Sequence, residues 1–375
     1  MSYLAVEQVD GVAVVTLDDP TGRTNRTTAQ FKAELGALLD QWQGAPPRGA
    51  IFRSAKAGFG TGGDIAQVLA HAGQGPQDSF ADSQRLKSLY RRLERLHIPT
   101  VALLEGLAVG GGWELALACT ARFALCDSTI RLGLPETNLG LVPGGGGLQR
   151  LPHLVGGRVA GRLIASGTLQ SPLQALDDGL IDDLAPDPAR LMALALRWIA
   201  ANRHARQPWD RPGHRPPDTA RHDGPLPQGQ APLLALEAIA GVLAAPFDDG
   251  AAIESHLFAR LATSAETQAL IGLRFLDRNA LRRNPPDPGW TAAFAARLAA
   301  LPTPEAMAQA ALEDLAQGRI PSAAAANVAS VDAGYPATTG GVIRHLTTRD
   351  LPQATRTLLQ AALTADMITN REDSA

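Results

Sequence analysis

The chain has 375 residues, which at roughly 150 residues per domain is room for two or three domains. It is 45% hydrophobic and 19% charged, with a net charge of −3. Such a composition buries a large core and excludes a disordered chain, and it offers no global basic field to hold nucleic acid. Two cysteines, Cys119 and Cys126, cannot form a disulfide framework; they read as two buried thiols in a reducing compartment. Without a His pair nearby they make no closed zinc site. No stretch has the basic-then-apolar form of a leader, and no apolar run approaches the length needed to span a bilayer. The expectation is a cytoplasmic protein with no membrane span.

Tyr3 to Val9 and Val12 to Leu17 read as strands joined by an Asp10-Gly11 hairpin turn. Phe31, Leu35, Leu38, Leu39 and Trp42 recur at a helical period over Thr27 to Trp42. Gly49 to Arg53 is a short apolar strand, and Asp64 is placed to cap a helix to about Ala72. A longer helix fits Ser79 to Leu96, a strand Thr100 to Leu104, a helix Trp113 to Ala121 and a buried strand Phe123 to Cys126. Two helices follow at about Gly145 to Ala165 and Ser171 to Gly179, and a third at Pro186 to Ala201. Strand and helix alternate, so the first half is an α/β layer architecture. Residues 203–230 hold many Pro, Arg, His, Asp and Gly and read as a linker or wrapped loop. Trp209 sits there among basic residues, but Asp210, Asp218 and Asp223 interleave, which argues against a nucleic-acid site. From 231 to 375 the chain is Ala- and Leu-rich with helical periodicity.

Four segments carry chemistry: Phe59 to Ile65 (FGTGGDI), Gly110 to Leu115 (GGGWEL), Leu134 to Gly140 (LPETNLG) and Pro143 to Pro152 (PGGGGLQRLP). Gly58 to Gly63 is a literal G-x-G-x-x-G. A dinucleotide site would need an acidic residue about 20 positions on, at the end of the next strand. The next strong strand ends near Glu105, too far along, so that use is rejected. The other use of such loops is an oxyanion site. Gly110 to Gly112 opens a helix, whose first N–H groups are unpaired and carry partial positive charge. Gly63 stands just before another helix. Two such donors can hold a carbonyl oxygen that becomes negative during a reaction, although each loop taken alone is equally a tight turn.

Glu114 falls in the first turn of an apolar helix, and Glu136 lies between Leu134 and Leu139. Each alone is equally an ordinary surface residue. Burial raises a carboxyl pKa, and two carboxyls in one site push each other's values apart. One then stays protonated while the other ionises, which provides an acid and a base at neutral pH.

These four ordered motifs, over roughly residues 1 to 200, strongly resemble the crotonase (enoyl-CoA hydratase/isomerase) superfamily. Asp19-Pro20, Asn25, Leu132 to Glu136 and the spacing of Glu114 from Glu136 are most similar to the hydratase half of multifunctional fatty-acid oxidation α-subunits. The resemblance implies a crotonase-like ββα spiral core over 1–202, then the 203–230 linker, then a helical region over 231–375. It implies that Gly63 and Gly111 supply the oxyanion amides, and that Glu114 and Glu136 hold the attacking water as base and acid. It places Gly62, Asp64, Ile65, Trp113 and Gly144 around the substrate and Lys56 against coenzyme A phosphates. An acyl-CoA thioester is then the substrate, with coenzyme A part of it and no metal or redox cofactor. A homo-oligomer, with a thiolase or other β-oxidation partner, follows from the same likeness. The sequence departs from the family at Gly63, where Ala is frequent, and at Trp113, which is bulkier than expected and either narrows the acyl pocket or packs in the core.

Ala252 to Phe275, with Glu254-Ser255, looks like the helix that follows the hydratase domain in those multifunctional proteins and covers its site. Ala311 to Leu346 resembles part of the 3-hydroxyacyl-CoA dehydrogenase C-terminal domain. The dinucleotide domain between them is absent, and His345 stands without a catalytic arrangement, so no dehydrogenase activity is expected. The leading reading is a 2-enoyl-CoA hydratase. A Δ3,Δ2-enoyl-CoA isomerase and a non-catalytic acyl-CoA-binding scaffold are the alternatives.

Overall fold

A computed structural model describes residues 1–219, 224, 229–283, 285–351, 353, 355–357 and 359–363. The chain forms two compact units, Met1–Thr263 and Ser264–Ala375. Among the described residues no helix is long and apolar enough to cross a membrane.

The first unit opens with strands β1 (Leu4–Val9) and β2 (Val12–Leu17), an antiparallel hairpin. Asp10 and Gly11 both take positive φ, 53° and 80°, the conformation that lets a two-residue turn follow the strand twist. Helix α1 (Ala29–Gly44) is capped by Thr28 and buries Phe31, Leu35, Leu38, Leu39 and Trp42, the predicted stripe. Then come β3 (Gly49–Ser54), α2 (Ile65–Gln74, capped by Asp64) and α3 (Pro76–Arg95). Next are β4 (Thr100–Leu104), β5 (Ala108–Val109), α4 (Gly111–Ala118), β6 (Ala121–Leu125) and β7 (Leu132–Gly133). They are followed by α5 (Gly147–Val155), α6 (Gly157–Ser166), α7 (Pro172–Asp177), β8 (Asp183–Ala185) and α8 (Pro188–Ala201). Helices α9 (Gln230–Ala244) and α10 (Phe247–Ala262) complete the unit.

The main sheet runs β1-β2-β3-β4-β6-β8, parallel after the first hairpin. Its inner strands have helices on both faces, so β4 is buried at every residue and reads as a continuous apolar run. On one face, Val12, Val14, Ile51, Val101, Leu103 and Phe123 pack with Leu191, Ala195 and Ile199 of α8. Beside this sheet lies a second one, the two-residue parallel pair β5-β7.

Several expectations change. The helix read over 145–165 is two helices, broken at Gly156 (φ +86°). The short strands β5, β7 and β8 carry too few residues for a period to show. Cys126 is exposed, not buried. The domain bound changes: residues 231–262 belong to the first unit, with α9 against α5 and α6, and α10, expected to cover the site, against α3 and α5. The segment before them is strapped down as well. Trp209 stacks on Phe247 with centroids 4.6 Å apart, Asp210 pairs with Arg91 at 2.6 Å, and the Gln207 amide donates to the Leu117 carbonyl. Asp223 lies outside the described residues. The helix read over Ala252 to Phe275 stops at Ala262, and Ser264 caps a new one.

The second unit contains α11 (Ala265–Ile271), a π-helical turn (Gly272–Asp277), α12 (Arg278–Arg283), α13 (Pro288–Ala299), α14 (Pro304–Ala316), α15 (Ala323–Asp332) and α16 (Val342–Leu346). Phe294, Leu298, Met307, Val342, Ile343 and Leu346 form its core with the alanines of α14 and α15. His345 bonds the Tyr335 hydroxyl. Asn327 is wholly buried; its Oδ1 accepts from the Ile343 and Arg344 amides at 2.9 and 3.1 Å, and its Nδ2 donates to Asp277. Two orphan donors at the start of α16 thus depend on one side chain. Asn327→Ala is expected to destabilise this unit by about 2–3 kcal/mol, read as a drop in its urea unfolding midpoint.

Candidate active site

The two glycine loops cross at contact distance. A Cβ on Gly112 would stand 2.5 Å from the Gly60 carbonyl oxygen, and one on Gly60 would stand 2.8 Å from the Gly112 Cα. Only side-chain-free backbone allows that approach. Val109 N donates to Gly60 O and Thr27 N to Gly62 O, so the loops are fastened to each other and to the start of α1. Gly111 is the first residue of α4 and buried; Gly63 is exposed just before α2. Among the described residues no protein acceptor takes the amide of either. The unpaired first-turn amide of α4 and the Gly63 amide are therefore available donors.

The small sheet β5-β7 brings the carboxyls together. Gly110 N donates to Gly133 O at 3.0 Å, which sets the start of α4 beside the loop leading to Glu136. Glu136 opens a 3-10 turn ending at Gly140. Gly110 (φ +53°) lies against it, since a Cβ there would stand 3.0 Å from Glu136 Oε1. Oε2 of Glu136 is sealed from solvent and has no hydrogen-bond partner among the described residues.

Glu114, 3% exposed, is anchored by the start of α5. Its Oε1 accepts from Gly145 N at 2.7 Å and Gly147 N at 2.9 Å. A Cβ on Gly145 would fall 2.4 Å from Oε2 of the same carboxyl, so glycine is required there too.

Charge around this pair is unevenly matched. Glu94 holds Arg150 at 2.6 Å, and Glu254 of α10 holds Lys87 of α3 at 3.4 Å. Glu114 and Glu136 have no cation within ion-pair distance among the described residues. Burial pushes the Glu114 carboxyl up to about 7; the Glu254 charge adds to this and the two α5 amides oppose it. Burial and the Glu114 charge push Glu136 well above the usual carboxylate range. Unpaired buried charge is costly enough that such groups keep protons instead. Glu114, with two donors on one oxygen, is the easier of the two to ionise.

The remaining predicted residues divide. Asp64 caps α2 through the Ala66 amide and meets Arg26 at 3.3 Å, and Ile65 begins that helix half-buried. Gly62 (φ +106°) lies next to Gly110 and Gly111. Gly144 faces the Phe258 ring of α10 and accepts the Ser83 hydroxyl at 2.6 Å. Trp113 is 1% exposed, so its bulk is interior packing of α4. Lys56 is tethered: its ammonium donates to the Asp19 and Gly22 carbonyls and lies 3.5 Å from Asp18. That is a clamp on the 18–22 loop, not a free cation for a phosphate. No cluster of three or more His, Cys, Asp or Glu able to hold a metal occurs among the described residues.

Sequence reading missed the ionic shell of Glu94, Lys87 and Arg150, and gave Glu254 no task. One signal was present. Ser79, Ser83, Lys87 and Glu94 follow the buried stripe of α3 at helical spacing alongside Leu86, Tyr90 and Leu93. Polar residues in phase with an apolar stripe must find partners inside.

Residues 7–208 match the family described as enoyl-CoA hydratase/isomerase. The fatty acid oxidation complex subunit alpha of Shewanella amazonensis is 38% identical over 205 residues, 54% of this chain and 29% of that protein. The same-named protein of Shewanella sp. MR-4 is 34% identical over 282 residues, covering 71% of this chain and 40% of its own length. The chain thus spans well under half the length of these relatives. The solved enoyl-CoA hydratase of Bacillus halodurans superposes with a TM-score of 0.56 at 20% identity, over 72% of this chain and 99% of that one. That of Thermoplasma volcanium gives 0.50 at 21%, over 72% and 96%. At those identities the likeness establishes the fold alone, the crotonase α/β fold followed by a helical region. The match over more than half of the sequence, on the segments that converge here, makes this chain a member of the enoyl-CoA hydratase/isomerase family.

Proposed function

We propose that this protein is a 2-enoyl-CoA hydratase, adding water across the double bond of a fatty acyl-CoA thioester. The observation that carries the reading is the pairing of two carboxyls that have no ion-pair partner among the described residues with two glycine amides that no acceptor takes among them. The names of the curated relatives support a fatty acyl chain.

In this reading the thioester oxygen accepts from Gly63 N and Gly111 N. Polarising that carbonyl makes the β-carbon electrophilic, and the amides stabilise the enolate oxygen that forms. Glu114 is the ionised member, because the Gly145 and Gly147 amides stabilise its negative charge. It takes a proton from water as the oxygen bonds to the β-carbon. Glu136 is the protonated member, since its Oε2 has no donor among the described residues to stabilise a charge. It gives its proton to the α-carbon as the enolate collapses. The pair holds one proton before and after, so it resets by moving that proton from Glu114 back to Glu136. Coenzyme A enters only as part of the substrate.

The first test is loss of the conjugated absorbance of crotonyl-CoA. Glu114→Gln and Glu136→Gln are each expected to lower kcat by about 10²–10⁴-fold. Conversion of a 3-enoyl-CoA without any water addition would replace this reading with the isomerase one. Binding without turnover would replace it with the scaffold one.

Gly63 provides a sharper test of the oxyanion amides. A Cβ there meets nothing closer than 3.8 Å, so Gly63→Ala keeps the donor and near-normal turnover. Gly63→Pro removes the N–H and is expected to cost about 10²–10³ in kcat.

The pH profile has a defined sign. A carboxyl that must be ionised, raised to about 7, makes kcat/KM climb as pH passes through that value. A protonated partner that is harder to ionise makes it fall at higher pH. The bell reports the pair and not each residue separately. A flat profile between pH 5 and 9 would contradict the assignment of roles.

A further inference from the structure

A third carboxyl, Glu254, lies close enough to this pair that its charge acts on both. Glu254 is wholly buried and arrives on α10, far along the chain. Its Oε1 accepts from Gly146 N at 2.6 Å and its Oε2 from Gln149 N at 3.0 Å. Glu114 takes the amides of Gly145 and Gly147. The start of α5 is therefore shared out alternately: 145 and 147 to one carboxyl, 146 and 149 to the other. Both carboxyls are thus anchored to alternate amides of one short segment. Lys87 closes the arrangement, donating to the Ala251 carbonyl at 2.6 Å and to Glu254 at 3.4 Å. Ser83 and Ser255, 2.8 Å apart, fasten α3 to α10 beside it, with Ser83 also holding the Gly144 carbonyl.

We infer that Glu254, paired with Lys87, is a positioning residue for the Glu114–Glu136 pair, holding the 144–149 segment against Glu114 and fixing the charge that Glu114 faces. This rests on the reading of those two carboxyls as acid and base. The groups around Glu114 are Glu254 from α10, Lys87 and Tyr90 from α3, Arg150 from α5 and Glu136 from its 3-10 turn. Arg150 is committed to Glu94, and Tyr90 is held neutral by burial. The adjustable charges are Glu254 and Lys87, of opposite sign. Glu254 makes Glu114 harder to ionise, and Lys87 makes it easier.

Opposite sign gives a test that loosened packing cannot imitate. Glu254→Gln keeps the shape and one acceptor but removes the negative charge. It is expected to move the ascending limb of kcat/KM down by about one pH unit. Lys87→Met removes the positive charge and moves the limb up by a similar amount. The double variant, with both charges gone, returns it close to its starting place. The same titration is followed without turnover by ¹³C NMR of the labelled Glu114 carboxyl. If the protein does not hydrate crotonyl-CoA, the hydratase reading fails, while the carboxyl titration still decides the role of Glu254. If the single variants shift the titration in the same direction, or lower the rate with the limb unmoved, Glu254 is a packing contact and the inference is wrong. Where Glu254→Gln does not fold, Lys87→Met decides alone: an upward shift supports the inference and an unmoved limb overturns it.

Discussion

The start of α5 is the constraint on which the rest of the site depends. Four peptide amides in five residues point at two buried carboxylates. Ordinarily the first amides of a helix are satisfied by a capping side chain or by water. Here α5 has no side-chain cap, and the donors go to Glu114 and Glu254. Burying two carboxyls this closely is unfavourable in itself, and the amides, the partial positive charge of the helix end and Lys87 together offset it. Glycine at 144 and 145 leaves room for the Phe258 ring and the Glu114 carboxyl, and glycine at 146 and 147 leaves room for Arg150 and Leu134.

Given that anchor, the chemistry becomes a matter of electrical balance. Glu94 and Glu254 each have a cation, and Glu114 and Glu136 have none among the described residues. Burial raises both carboxyls and each charge raises the other further, so ionising the two together is disfavoured. In the proposed mechanism one proton stays between them, resting on Glu136, whose Oε2 has no hydrogen-bond partner among the described residues, and away from Glu114, which accepts from two amides. An unsatisfied buried oxygen costs stability of about 1–3 kcal/mol.

Much of this was legible in the residues. The stripe Phe31, Leu35, Leu38, Leu39 and Trp42 produced α1, Asp10-Gly11 produced the hairpin, and the unbroken apolar run at 100–104 produced an interior strand. The glycine loops and the two glutamates stood out because glycine and carboxylate are unusual in apolar surroundings. What did not show was carried by long-range contacts. β5 and β7 are two residues each, yet their pairing is what sets Gly110 beside Glu136. Lys56 has the composition of a phosphate contact, but its ammonium lies among the carbonyls of a loop more than thirty residues earlier.

By itself the amino-acid order determined the α/β alternation of the first half, the helical second half, the two glycine turns and the choice of Glu114 and Glu136 as the carboxyls to examine. These are local matters of period, turn geometry and side-chain chemistry, and each is written within a dozen neighbouring residues. Tertiary structure alone decided that α9 packs against α5 and α6, that Glu254 shares the start of α5 with Glu114, and that Lys87 and Arg150 hold Glu254 and Glu94 while neither Glu114 nor Glu136 has an ion-pair partner among the described residues. Those outcomes depend on which charges lie a few ångströms apart after folding. Electrostatic interaction in a buried region is set by distance in space and not by separation along the chain.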